Sequence, residues 1–380
     1  MVLAVLVCLS ASYWLALAGL ALRTSFALRT FSSLPQLQRT TWPTVSIVIP
    51  ARDEGAHVRE ALRAKLDDGY PALQVVLVDD RSSDDTGAQA LALGDPRLTV
   101  TRVDTLPEGW LGKVNALQQG LQVARGEWIL FSDADVHLAP GTLSRLIAWA
   151  EAEGLDSIAA LPKITPSGPV ITVALTTFFR FIVSFTRLWA VERADSKAAV
   201  GVGAFNLFRR AALDRSEGLA WLKMEIADDM ALGVLLKHAG ARQRVVVAQE
   251  AVSLEFYPSY RAMAHALEKN GAMAPAGATL AGLTLLVLLE LGYLGALLSG
   301  DPRVQACGLI TWLLGAATQL GICRWMRLPR WPAVFPGLGM VPLALAVGRS
   351  ALLAWRRGGV RWRGTFYPTA VVRAGTRLKP

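Results

Sequence analysis

The sequence is poor in cysteine and histidine, with three Cys and four His among 380 residues. Cys8, Cys307 and Cys323 all lie in or beside long apolar runs, so neither a disulfide framework nor the spacing of a structural zinc site is on offer. Acidic residues are missing from the C-terminal end: residues 302–380 carry twelve Lys or Arg and no Asp or Glu. That gap explains the whole positive balance. The formal net charge of +9 becomes −3 once the segment is set aside, with 27 basic and 30 acidic residues left. No nucleic-acid partner is expected, since the remainder has no basic, aromatic-interleaved module. A basic end of this kind suits anionic lipid headgroups instead. Charge of either sign is absent from residues 1–22.

Those uncharged residues are long enough to cross a hydrocarbon core as a helix. A secretory signal peptide carries its positive charge ahead of the apolar run, whereas here Arg23, Arg29 and Arg39 follow it. The order points to an uncleaved transmembrane anchor over 1–22 with the following chain in the cytosol. The composition agrees, at 53% hydrophobic residues and a mean hydropathy of +0.37, too apolar for an ordinary soluble enzyme. Ala276 to Leu298 and Val304 to Cys323 are two further apolar runs, separated by the turn Ser299-Gly300-Asp301-Pro302-Arg303. Glu290 in the first of them is expected to face another helix or a polar cavity, not lipid. A third run, Ala333 to Trp355, is interrupted by Pro336, Pro342 and Arg349 and reads either as a kinked span or as a re-entrant segment. Together 276–355 form a C-terminal membrane region, followed by a basic tail at 356–380.

Between the membrane segments, short β-rich runs alternate with helical stretches, the pattern of an open and largely parallel α/β sheet. Strands are expected at Val45–Ile49, Val75–Val78, Leu98–Val103, Trp128–Phe131 and Ser157–Leu161. Helices are expected near 56–66, 86–93, 114–124 and 141–153. In such sheets ligands sit beyond the carboxyl ends of the strands. Polar clusters follow that rule: Pro50-Ala51-Arg52-Asp53-Glu54, then Asp79-Asp80-Arg81-Ser82-Ser83-Asp84-Asp85, then Ser132-Asp133-Ala134-Asp135. Asp and Ser are also helix caps and turn residues, and Asp84 or Asp85 has that alternative open. Two carboxylates spaced as Asp133 and Asp135, just after an apolar strand, can hold a divalent cation that bridges a diphosphate.

The ordered set Pro-Ala-Arg-Asp-Glu, Val-Asp-Asp-Arg-Ser-Ser-Asp, Gly-Trp-Leu-Gly-Lys at 109–113 and Asp-Ala-Asp resembles family 2 glycosyltransferases of the GT-A fold, over about residues 43–270. The resemblance implies an inverting hexosyltransferase that uses a nucleotide-diphosphate sugar and Mg2+ or Mn2+. By motif, Ala51 and Glu54 would border the nucleotide, Asp80 would contact base or ribose, and Asp133 with Asp135 would hold metal and diphosphate. Lys113 would lie near the diphosphate or sugar, its alternative being an exposed lysine at a helix start. Gly201-Val202-Gly203-Ala204-Phe205-Asn206-Leu207 looks like the family's small-residue strand and turn on the acceptor side, which assigns Gly203 and Ala204 to substrate. Ala227-Asp228-Asp229-Met230 looks like its acidic motif at a helix start, with Asp229 as general base and Asp228 in place of the usual glutamate. The alternative is two acids that merely favour the helix dipole.

The apolar stretch Pro169 to Val191 is long enough to span a bilayer, but a crossing would separate Gly201 and Asp229 from Asp135. An interfacial helix over 169–191 is expected, with a buried core helix as the alternative. Processive members of the family carry Gln/Arg-x-x-Arg-Trp after the catalytic acid, and none follows Asp229. Glu268-Lys269-Asn270 and Trp362-Arg363-Gly364-Thr365-Phe366-Tyr367 instead resemble membrane enzymes that glycosylate carotenoids, hopanoids or ceramide, although Thr365 departs from the Arg usual there. The expected acceptor is therefore a membrane lipid. A polyprenyl phosphate or a growing polysaccharide is the enzymatic alternative, and a nucleotide-binding membrane protein without catalysis is the other.

Overall fold

A computed structural model describes residues Val2 to Leu378 and divides them into two compact units. The first contains the residues up to Ala27 together with Ile164–Arg187 and Glu255–Arg373; the second contains Leu28–Lys163, Leu188–Leu254 and the residues from Ala374 on.

The second unit is built on one eight-stranded sheet. Its strands are β1 (Arg29–Thr30), β2 (Val45–Ala51), β3 (Leu73–Asp80), β4 (Leu98–Val103), β5 (Trp128–Phe131), β6 (Ser157–Leu161), β7 (Asn206–Arg209) and β8 (Gln243–Val247). Their order is β1-β8-β6-β7-β5-β2-β3-β4. Every pair is parallel except those made by β7, which runs antiparallel between β5 and β6. Val45, Ile47, Val48 and Ile49 are completely buried, as the strands of a sheet covered on both faces must be. Ser46 is the polar exception among them, and it is used fully: its Oγ donates to Gln74 Oε1 at 2.6 Å and accepts from the amides of Arg125 and Gly126. Gly120, on helix Gly112–Val123, lets that helix come down onto the sheet, since a Cβ there would lie 2.4 Å from Val48 Cγ1.

The strands expected at 98–103, 128–131 and 157–161 are the ones found; those expected at 45–49 and 75–78 run further, to Ala51 and, from Leu73, to Asp80. Each extension carries a polar cluster onto the carboxyl edge, where Ala51 is in register with Asp79.

The first unit is helical. Among the described residues four stretches are long and apolar enough to cross a membrane: Val2–Ala27, Pro169–Ala190, Ala276–Leu297 and Pro302–Trp325. Asp301 caps the last of these by accepting from the Arg303 amide at 2.8 Å, and Pro302 occupies the first turn, where no amide is required. The interrupted run at 333–355 resolves into a single turn, Trp331–Val334, and a helix, Met340–Arg357. Glu290 faces other helices and not lipid: Arg180 Nη2 and the Tyr13 hydroxyl both donate to it, while Arg180 Nη1 donates to Gln319 and the guanidinium lies 4.6 Å from the Trp14 ring centre. Helix Pro169–Phe185 thus presents a buried arginine to its helical neighbours. The chain before and after that helix belongs to the sheet unit.

A C-terminal hairpin pairs Gly359–Trp362 with Thr365–Pro368. Its two turn residues, Arg363 (φ 47°) and Gly364 (φ 77°), have the left-handed conformation of a tight hairpin turn. The Lys269 ammonium lies 4.7 Å from the Trp362 ring centre, so the two C-terminal segments singled out in the sequence meet here.

Candidate active site

At the carboxyl edge the first two polar clusters are laced into one another. Asp53 accepts from the Ser83 amide (2.7 Å) and hydroxyl (3.0 Å), and its own amide donates to Ser82 Oγ at 3.0 Å. The Glu54 amide donates to Thr86 Oγ1 at 2.8 Å, and Gly55 N donates to Asp84 Oδ2 at 2.9 Å. Asp84 also accepts from the Thr86 amide, which settles it as a turn-closing residue. Asp53 (φ 55°) and Arg81 (φ 58°) both sit in the left-handed region at the ends of their strands, a local cost that this lacing holds in place. Asp80, at the end of β3 and buried, takes both guanidinium contacts of Arg81, at 2.8 and 3.0 Å. Gly112 packs against this pair: a Cβ there would stand 2.6 Å from Asp80 Oδ2 and displace it.

The third cluster meets the two later motifs. Lys113, in the first turn of helix Gly112–Val123, is an ion-pair partner and not an exposed helix-start residue. Its Nζ lies 2.8 Å from Asp133 Oδ1 and 3.5 Å from Asp228 Oδ2. Burial works against its charge, but the carboxylates of Asp133, Asp228 and Asp229 outweigh burial and push its pKa up. The Asp133 amide donates to the Gly203 carbonyl at 3.2 Å, and Ser132 Oγ donates to the Ala204 carbonyl at 2.9 Å. Asp229 Oδ2 accepts from the Gly203 amide at 2.9 Å while Oδ1 accepts from the Met230 amide at 2.8 Å. A Cβ on Gly201 would lie 1.7 Å from the Asp229 carbonyl, so glycine there is dictated by close backbone approach. Lys113, Asp133, Gly203, Asp228 and Asp229 line one cavity.

Asp135 completes the group. Burial first, then the charges of Asp133 and Glu54, push its carboxyl up to about 6. Negative charge in excess of its compensation is what a cation would relieve. Among the described residues no three His, Cys, Asp or Glu converge as a full ligand set. Two carboxylates fit a hard cation that keeps waters and takes the rest of its shell from substrate phosphates.

Lys65 was not anticipated from sequence, and Asn206 stood in the acceptor-side motif without a role of its own. Lys65, on helix Val58–Leu66, is completely buried and its Nζ donates to the Val136 carbonyl, directly behind the Asp133–Asp135 loop. Burial pulls its pKa down to about 7, against the opposing pull of Asp135 and Asp133. Its neighbours in sequence, Ala64 and Leu66, mark only an amphipathic helix, so no local signal identifies it. Asn206 is 1% exposed and lines the same cavity as Asp133 and Asp229, with neither side-chain atom hydrogen-bonded. A buried carboxamide without partners is costly unless a ligand satisfies it.

The description "Glycosyl transferase family 2" matches residues 46–216, the segment that carries all three polar clusters, Lys113 and Gly203. Residues 46–216 of the chain are thus similar to family 2 glycosyltransferases, on a mixed α/β unit with a largely parallel central sheet. Among curated proteins, a probable glycosyltransferase YdaM of Bacillus subtilis is 27% identical over 206 residues, covering 52% of this chain and 47% of that one. A beta-monoglucosyldiacylglycerol synthase of Trichormus variabilis is 27% identical over 203 residues, covering 50% and 40%. The chain thus spans less than half the length of these relatives. Among solved structures, a mannosyltransferase from Pyrobaculum calidifontis in complex with GDP-Man and Mn2+ aligns over 94% of this chain and 91% of its own, at 19% identity and a TM-score of 0.48.

Proposed function

We propose that this protein transfers a single sugar, with inversion, from a nucleotide-diphosphate donor to a hydroxyl of a membrane lipid. The observation that carries the reading is the convergence of Asp133, Lys113, Gly203, Asp228 and Asp229 on one cavity. Inversion needs two separate sets of groups, one on the leaving diphosphate and one on the incoming hydroxyl. Ala51, Glu54 and Asp80 border the nucleotide at the ends of β2 and β3, and Lys113 offers its ammonium to the diphosphate or sugar. Asp133 and Asp135 hold Mg2+ or Mn2+, which when bound neutralises charge on the departing diphosphate. Asp229, oriented by the Gly203 and Met230 amides, takes the proton of the acceptor hydroxyl as it attacks the anomeric carbon, and Asp228 balances Lys113 beside it. Gly203 and Ala204 form the backbone wall for the acceptor, and the Asn206 carboxamide is free to hydrogen-bond a sugar or acceptor hydroxyl.

A lipid acceptor is favoured by the apolar helices of the first unit, by the diacylglycerol lipid in the name of one relative, and by the lack of the processive motif. Arg23, near the end of the first helix, with Arg29 and Arg39 beyond it, and Arg324, in the last turn of the fourth, with Arg327 and Arg330 beyond it, favour a plasma-membrane protein with its glycosyltransferase domain in the cytosol. The deciding experiment incubates the purified full chain with a panel of labelled nucleotide sugars and a membrane lipid extract, followed by mass spectrometry. A lipid heavier by one hexose is expected. Labelled polymer would turn the assignment to a processive synthase, and nucleotide binding without any product would turn it to a non-catalytic protein.

A further inference from the structure

Within the helical unit a cavity of about 580 Å3 opens between the first turns of helix Ala276–Leu297 and the last turns of helix Met340–Arg357. Leu280, Leu352 and Trp355 supply its apolar wall, Gly277 leaves room in it, and Arg373 stands at its side. Arg373 Nε donates to the Ala272 carbonyl at 2.9 Å, a bond that aims the guanidinium without cancelling its charge. Helix Ala276–Leu297 begins after Pro275 with no side-chain cap, so its first amides add partial positive charge to the same cavity. Glu268, on the preceding turn, is already engaged by Arg349 (2.7 Å), Arg357 (3.3 Å) and His265 (3.1 Å). No acid occurs from residue 302 to the end of the chain.

We propose that this cavity binds an anionic phospholipid of the bilayer, its phosphate against Arg373 and the helix amides and an acyl chain along Leu280, Leu352 and Trp355. Free phosphate would leave the apolar wall uncovered, and a neutral lipid would leave the positive charge unanswered. The cavity lies at the ends of its two helices, the level at which a headgroup meets a helix terminus. The inference rests on reading helix Ala276–Leu297 as a membrane helix and does not depend on which lipid accepts the sugar.

The test reconstitutes the full chain in vesicles of equal phosphatidylglycerol and phosphatidylcholine, extracts it in mild detergent and counts retained lipid by native mass spectrometry. One phosphatidylglycerol per chain is expected, with phosphatidylcholine lost. Arg373→Gln should weaken retention by roughly tenfold, the size of one charge-assisted contact. Gly277→Phe should abolish retention by placing its ring in the cavity, its Cβ meeting nothing within 4 Å, and a thermal midpoint kept at the parent value shows that the fold is intact. That variant decides the matter if Arg373→Gln unfolds. Equal retention of both lipids, retention by Gly277→Phe, or displacement of the lipid by inorganic phosphate alone would overturn the proposal. A chain released from membranes by alkaline carbonate without detergent would remove the membrane reading itself, whereas one that needs detergent yet keeps no phosphatidylglycerol would remove only this inference.

Discussion

In the helical unit, Arg180 and Glu290 are both completely buried and answer one another, with Tyr13, Gln319 and the Trp14 ring completing the shell. In the sheet unit, Asp133, Asp135, Asp228 and Asp229 gather around two amines, Lys113 and Lys65. The first arrangement matches one charge with one charge inside the chain, although Arg180 Nε and Trp14 Nε1 find no hydrogen-bond partner. The second gathers four carboxylates around two amines, an arrangement that a bound cation would balance. Desolvated charge is expensive in either place, so a surplus kept at a sheet edge points to a ligand while a matched pair points to architecture.

Removing the arriving partner should therefore have the largest effect. Chelation of divalent cations is expected to abolish transfer and addition of Mg2+ or Mn2+ to restore it; undiminished turnover in metal-free buffer, or in Asp135→Asn, would break the contrast. Next comes Asp229→Asn, expected to lower transfer by about 10² to 10⁴ while nucleotide-sugar binding persists. Asp228→Asn should cost less, and the reverse ranking would exchange the roles of the two acids.

On the helical side, Arg180→Leu should destabilise the protein by about 3–5 kcal/mol because it strands a buried carboxylate, whereas Arg180→Leu with Glu290→Leu should be close to neutral. Thermal unfolding in detergent reads both, and a double variant as unstable as the single one would give the pair a role beyond mutual neutralisation.

The smallest effect concerns Asp68, a buried acid of the sheet unit that takes the Leu143 amide (3.1 Å) in place of a cation. Burial pushes its carboxyl up to about 6, so the folded state binds the proton more tightly than the unfolded chain does. Its contribution is then most favourable below about pH 4 and is lost as pH rises through about 6. Asp68→Asn should gain up to about 2–3 kcal/mol over the native protein at pH 8, shrinking toward zero at pH 4. A pH-independent difference would place the cause in packing.

Much of this was legible because the signals are local. Apolar β-rich runs ending in Asp clusters mark strand ends, and the strands at 98–103, 128–131 and 157–161 need only their own residues to be recognised. The antiparallel placement of Asn206–Arg209 between β5 and β6 was not legible, since strand order depends on long excursions of the chain and not on the strand's own four residues. Lys65 illustrates the same limit at one side chain: nothing around it in sequence distinguishes it from a solvated helix lysine, and only the fold sets it behind the Asp133–Asp135 loop.

By itself, then, the sequence determined the kinds of element, the apolar helices, and the acids and glycines at the sheet edge, because periodicity, chain length against bilayer thickness and residue chemistry act over a few residues. The tertiary structure alone decided that Arg180 meets Glu290 across 110 positions and that Lys113 reaches Asp133 and Asp228 together. Such pairings are selected by the cost of leaving charge buried and unmatched, a cost that exists only once the chain has closed around it.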